Sequence, residues 1–280
     1  MSYFSNQLNK LLTGDELIKE LMVLPPHKND IFDKSDRLIA LLDIYQIFIP
    51  NQSTIEIYNR LYIAVLSSLD KKENIEEVKN LNRNYRIIQG QRRYGVIGGL
   101  ESFKITGSAG LGKTTNVQRC SEIISSKVIK RERPLREIIP ILFVECVADG
   151  SFKSLLYSIL QTVDSILGTT YFISNKHQTT TIDVLLSAVS SVLVNHVGLL
   201  VIDEIERVAN DSKKGETLIN YLTQLVNQSN ISICFVGNES ANRYFESKEY
   251  MARRTLGLSM CKMTYDKYYY PKSSPPALPM

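Results

Sequence analysis

The stretch Gly107-Ser108-Ala109-Gly110-Leu111-Gly112-Lys113-Thr114 constrains the chain more than any other. It fits G-x-x-x-x-G-K-[ST], and Thr115 follows it. Gly107, Gly110 and Gly112 let the backbone turn so that its N–H groups face inward and form an anion nest. A helix starting near Lys113 would add the positive end of its dipole. The context agrees: Ser102–Thr106 reads as a strand leading in, and Thr115–Ser126 as an amphipathic helix leading out. Residues Gly107, Ser108, Ala109, Gly110, Leu111, Gly112, Lys113, Thr114 and Thr115 are therefore expected to cradle the phosphates of ATP. Lys113 would reach the β and γ phosphates, and the Thr114 hydroxyl would hold Mg.

A second landmark lies roughly 90 residues further on. Val197-Gly198-Leu199-Leu200-Val201-Ile202 is an apolar strand, and Asp203-Glu204 close it. In a parallel α/β sheet, ligands bind at such C-terminal strand tips. Asp203 is expected at the metal, with Thr114. Glu204 is expected to polarise an attacking water. A small-molecule kinase is disfavoured, because a kinase must suppress attack by water and this pair promotes it.

Strands and helices alternate around these landmarks. Ile139–Val147, Ile231–Gly237 and Thr255–Met263 read as further strands. Helical stripes run through Leu155–Leu167, Ile182–Leu193 and Leu218–Leu225. The alternation predicts an α/β fold, a three-layer sandwich with a parallel five-stranded sheet. Asn238, at the end of the fourth strand, either orients the lytic water or caps the helix that follows, Glu239–Phe245. Arg253 and Arg254 are either a surface pair or a finger that reaches a neighbouring subunit's nucleotide.

Residues 1–90 read as a small helical N-terminal region, 91–264 as the nucleotide-binding domain and 265–280 as a disordered tail rich in proline and serine. One stripe, Leu38, Leu41, Leu42, Tyr45 and Phe48, follows an N-cap at Ser35. A second, Tyr58 to Leu69, follows a cap at Ser53 or Thr54, and a third helix spans about Asn74–Ile88. Helix-to-helix packing is the expected use of these stripes. In the glycine-rich junction, Tyr94, Val96 and Ile97 would pack on adenine or simply tuck a linker under the core. The basic run Lys127–Arg136 is a solvated loop or a nucleic-acid contact.

Net charge is +4, which permits a nucleic-acid partner without requiring one. Three scattered histidines suggest no histidine-based metal site, and four cysteines without a C-x-x-C pair read as reduced thiols. No run is long and apolar enough for a membrane span, so the cytosol is the expected location.

In this order, the motifs resemble those of the AAA+ ATPases over residues 90–263. Within them the chain is most similar to the transposon target-selection ATPases, the TniB/TnsC-like group near the ORC1-like AAA proteins. Ile97-Gly98-Gly99-Leu100-Glu101, Leu200-Val201-Ile202-Asp203-Glu204-Ile205, Val236-Gly237-Asn238 and Ala252-Arg253-Arg254 carry the likeness. So do Arg37-Leu38 and Ile44-Tyr45-Gln46-Ile47-Phe48-Ile49-Pro50. The resemblance implies a self-associating ATPase on double-stranded DNA that recruits or activates a transposase. Such ATPases continue into a helical lid with a second sensor arginine. Only about 17 residues follow Met263, so the lid is expected to be missing or vestigial. A nucleotide-dependent regulatory switch, binding a protein partner with little turnover, is the alternative function.

Overall fold

A computed structural model describes residues 3–25, 33–88, 102–132, 135–147, 151–177, 179–209, 212–229, 231–242, 245 and 255–260. The strands are β1 Ser102–Gly107, β2 Ile129–Glu132, β3 Leu135–Glu145, β4 Val197–Asp203, β5 Ser232–Gly237 and β6 Thr255–Met260. They form one sheet in the order β2-β3-β4-β5-β1-β6. All neighbours run parallel except β2 and β3. The helices are α1 Gly14–Leu21, α2 Lys34–Ala40, α3 Gln52–Ile88, α4 Lys113–Ile124, α5 Phe152–Leu167, α6 Tyr171–Asn175, α7 Ile182–His196, α8 Glu206–Ala209 and α9 Ser212–Ser229.

Helices cover both faces of the sheet, which makes three layers. Strand β4 shows why, for every one of its residues is buried. With period two, Leu200 and Ile202 join the cluster built with α5, α7 and α9, while Leu199 and Val201 join the cluster built with α1, α3 and α4. Helix α5 is representative of the covering layer. Ser151 Oγ accepts from Ser154 N–H at 3.0 Å to start it, and left-handed Gly168 ends it. Its Leu155, Leu156, Ile159, Leu160 and Val163 are wholly buried, each contributing about 1.5–3 kcal/mol relative to exposure. Among the described residues, no helix is long and apolar enough to cross a membrane.

Among the described residues the sheet has six strands where five parallel ones were expected. Part of the basic run Lys127–Arg136 is β2 and the start of β3, an antiparallel hairpin. Its signal is faint: Ile129 is the one apolar residue of β2, and it buries itself opposite Ile138. A four-residue charged strand at the margin also blunts the sheet edge.

The N-terminal region is helical as expected, with two differences. The helices expected at Tyr58–Leu69 and Asn74–Ile88 are one, α3, since no glycine or proline interrupts Asp70-Lys71-Lys72-Glu73. Its cap is Asn51 instead of Ser53 or Thr54. Asn51 Oδ1 accepts from Thr54 N–H at 2.9 Å, and Thr54 Oγ1 accepts from Asn51 N–H at 3.0 Å, a reciprocal box. The second difference is the stripe from Leu38 to Tyr45. Residues Leu41–Gln46 tighten into a 3-10 helix, and Leu38, Leu41, Leu42 and Tyr45 are exposed. Among the described elements none covers them; only Phe48 tucks in, bridged to Val23. Tyr94, Val96 and Ile97 lie outside the described residues, as do residues 261–280, on which the expectations about lid and tail fall.

Candidate functional site

Strand β1 lies between β5 and the edge strand β6, so its loop opens beside the tip of β5 and within reach of β4. The three glycines of the motif serve different needs. Gly110 and Gly112 take φ of +81° and +72°, which a side chain would strain. Gly107 has ordinary φ but no room: a Cβ there would stand 2.6 Å from the Met260 carbonyl oxygen of β6. The backbone then enters α4 at Lys113. Lys113 Nζ folds back and donates to the carbonyls of Gly107 and Ser108, each at 2.9 Å. Ser108 Oγ donates to Glu239 Oε1 at 3.2 Å. Leu111 turns away and packs against the apolar cluster on the α4 face.

Strand β4 ends two strands away from β1, and its tip leans to the loop. Thr114 Oγ1 donates to Asp203 Oδ2 at 2.6 Å, which joins the two motifs across 89 residues. Asp203 is buried, and burial raises its carboxyl above the ordinary range. The Thr114 hydroxyl and the Glu204 N–H, which Asp203 Oδ1 accepts at 2.8 Å, pull the other way. The residue after it, Glu204, has φ +54°. A left-handed glutamate costs roughly 1–3 kcal/mol, and such strain gathers at functional sites. Glu204 Oε2 stands 3.5 Å from Arg207 Nε.

A cleft of about 450 Å³ lies between loop and strand tips. Ala109, Gly110, Gly112, Lys113, Thr114 and Thr115 line one side; Asp203, Glu204, Glu206, Gly237 and Asn238 line the other. A hydroxyl and a carboxylate within one hydrogen bond of each other form a hard oxygen donor pair. That suits Mg, which needs few protein ligands. Among the described residues, no group of three His, Cys, Asp or Glu is arranged to hold a metal by itself.

The cleft thus gathers most of the residues singled out in the sequence. Asn238 lines it, yet its Oδ1 accepts from Ser240 N–H at 2.9 Å and caps Glu239–Ala241. Arg253 and Arg254 lie outside the described residues, as does Arg133 of the basic run. Of the basic run, Lys130 pairs with Glu137 at 2.7 Å, and Arg131 lies over the rings of Tyr3 and Phe4. Arg136 donates to the Asn195 and Val194 carbonyls at the end of α7. Among the described residues, Cys120, Cys146 and Cys234 are buried free thiols, and burial pushes Cys120 and Cys146 up to about 12; Cys261 lies outside them.

Two side chains were missed by sequence reasoning. Glu206 is buried, and its Oε2 accepts from Asn238 N–H at 3.2 Å. A Cβ at Gly237 would meet that oxygen at 2.6 Å. Its only sequence signal is a third carboxylate after Asp203-Glu204. Arg207 had none.

A family model described as an AAA domain matches residues 100–245, more than half of the chain. Among solved structures, the ORC1 protein of Aeropyrum pernix in complex with DNA is 15% identical with a TM-score of 0.44. That match covers 78% of this chain and 47% of the other. Drosophila ORC bound to DNA is 10% identical with a TM-score of 0.33, covering 84% of this chain and 36% of the other. The chain spans less than half the length of either. Comparison with curated proteins gives no match.

Proposed function

Because the chain belongs to the AAA domain family, we propose that it binds ATP with Mg and hydrolyses it in the cleft between the phosphate loop and the tip of β4. The hydrogen bond between Thr114 and Asp203 carries this reading, since it joins a hydroxyl and a carboxylate, oxygen donors of the kind Mg takes, beside the loop. Residues 91–264 hold the nucleotide chemistry, and 1–90 form the helical region ahead of it.

On binding, Lys113 exchanges the Gly107 and Ser108 carbonyls for phosphate oxygens. Thr114 and Asp203 would hold Mg, which would offset phosphate charge there. Glu204 takes a proton from water as the water oxygen attacks the γ phosphorus. The bond to the bridging oxygen breaks, and its electron pair leaves on ADP. Asn238 orients that water through its amide N–H₂ group, because its Oδ1 is engaged at the cap. Arg253 and Arg254 serve a neighbouring subunit's site.

The finer reading is an oligomer on double-stranded DNA that regulates a transposase. The motif set shared with transposon target-selection ATPases supports it. The net charge of +4 is compatible with it. A second reading, a nucleotide switch with little turnover, is favoured by the ion pair that ties Glu204 to Arg207. The test is phosphate release and duplex binding, measured with and without ATP at 50 and 200 mM salt. ATP-dependent duplex binding that falls at least roughly tenfold over that range, together with stimulated phosphate release, supports the leading reading. Nucleotide binding without phosphate release supports the switch. Duplex binding indifferent to salt, or none, removes DNA.

A further inference from the structure

At Asn116, in the first turn of α4, the N-terminal helices meet the segment that follows the phosphate loop. Asn116 is 6% exposed and Thr54, on α3, is fully buried. Thr54 Oγ1 donates to Asn116 Oδ1 at 2.5 Å. Asn116 Nδ2 donates to the Gly112 carbonyl at 2.8 Å, and Asn116 N–H donates to the same oxygen at 2.9 Å. The orientation of the amide follows from chemistry: Gly112 O only accepts, so the Asn116 N–H₂ group must face it and Oδ1 must face the hydroxyl.

This arrangement fixes a peptide plane of the phosphate loop. In a trans peptide the C=O and the following N–H point in opposite directions. With the Gly112 carbonyl held by two donors from Asn116, the Lys113 N–H is turned the other way, to the side on which Gly112 and Lys113 line the cleft. At a helix start that N–H has no partner within the helix and serves an anion. Glycine is needed at 112 for its φ of +72°. A flexible residue at such a place needs something to hold it, and Asn116 is the holder.

Thr54 in turn belongs to the reciprocal cap of α3, with Asn51. The same helical region holds α4 along its length. Cys120 Sγ lies 3.6 Å from the Thr54 carbonyl, and Arg119 donates to the carbonyls of Leu21 and Glu20 at the end of α1. Asn9 Nδ2 donates to Ile123 O at 2.7 Å. The start of α4, which must settle around phosphate, is therefore bonded to the start of α3.

We propose that Asn116 is a positioning residue of the phosphate loop and that, through Thr54, it links nucleotide binding to the docking of the N-terminal helices. The inference rests on the phosphate-loop reading above. Linkage is reciprocal: whatever α3 docking adds to nucleotide affinity, the nucleotide returns to α3 docking.

The test combines hydrogen exchange on the unsubstituted protein with a mutant cycle. The probe is a slowly hydrolysed ATP analogue with Mg. Amides of residues 107–115 report binding itself, and those of residues 54–58 report the α3 cap. Protection at both is expected. Protection at 107–115 with none at 54–58 overturns the inference alone, and none at either overturns the nucleotide reading with it. In the cycle, Thr54→Val and Asn116→Ala should each weaken the analogue about fivefold. The double variant should be no weaker than Asn116→Ala, and Thr54→Ser should restore affinity. A staple without this link would lower the melting temperature and leave affinities equal, or give losses that multiply; either result overturns the proposal. If a variant fails to fold, the exchange result on the unsubstituted protein decides.

Discussion

Glu204 and Arg207 form an ion pair one turn apart, Oε2 to Nε 3.5 Å, beside the cleft. The same guanidinium donates from Nη1 to Glu145 Oε1 at 2.8 Å and to the Cys146 carbonyl at 3.0 Å. Both side chains of the pair are more than a third exposed, so solvent screens it and its contribution to stability is small. Its effect is directional: the carboxylate that follows Asp203 is steered by a residue anchored on the neighbouring strand. Arg207→Ala is expected to leave the melting temperature within about 2 °C and to change the turnover rate while ATP affinity holds. A turnover rate equal to the parent's would show that Arg207 does not govern Glu204.

Glu204→Gln keeps the shape of the side chain and removes the base. ATP and Mg binding should survive, with hydrolysis at least roughly a hundredfold slower, the usual scale for losing a general base. Single-turnover phosphate release is the measurement. Parent-like release would remove Glu204 from the chemistry.

Lys113→Ala acts at the binding step. In the present structure Nζ is bonded to two loop carbonyls, and the residue is partly exposed, so water can replace it there. Fold stability should therefore change little while affinity for labelled ATP is lost. Unchanged affinity would refute the assignment of the loop.

Gly198→Ala probes the sheet apart from the cleft. A Cβ at Gly198 would stand 2.5 Å from the Pro140 carbonyl oxygen on β3. Backbone must shift to admit it, at about 1–3 kcal/mol. A melting temperature lowered by several degrees is expected, and an unchanged one would mean that β3 and β4 can part at Gly198 without cost.

Arg253→Ala and Arg254→Ala test assembly. If either arginine reaches a neighbour's phosphates, the variant keeps ATP binding and loses hydrolysis by about 10³–10⁵. Mixing it with Glu204→Gln subunits at high concentration with DNA should restore some hydrolysis, since each supplies what the other lacks. Mixtures as inactive as their components would confine both arginines to their own subunit.

The parts of the cleft were legible in the sequence because they are written in local terms. A glycine-rich turn between a strand and a helix, and two carboxylates at the end of an apolar run, each obey backbone rules that act over a few residues. Periodicity likewise exposed the helices and the buried strands, since a repeating apolar face is a local property. Tertiary structure decided everything that depends on who stands opposite. Periodicity declares that Leu38, Leu41, Leu42 and Tyr45 share a face, but not that no described element covers it. Lys127–Arg136 reads as charge, yet pairing across the sheet margin made part of it a strand through Ile129 and Ile138. Asn238 could cap or sense on sequence alone, and the placement of Ser240 supplied the cap. The bond from Thr54 to Asn116 spans 62 residues, and Arg207 meets Glu145 across the same number. Such contacts carry no local signature, because their geometry arises only when distant segments pack and bury their polar groups together.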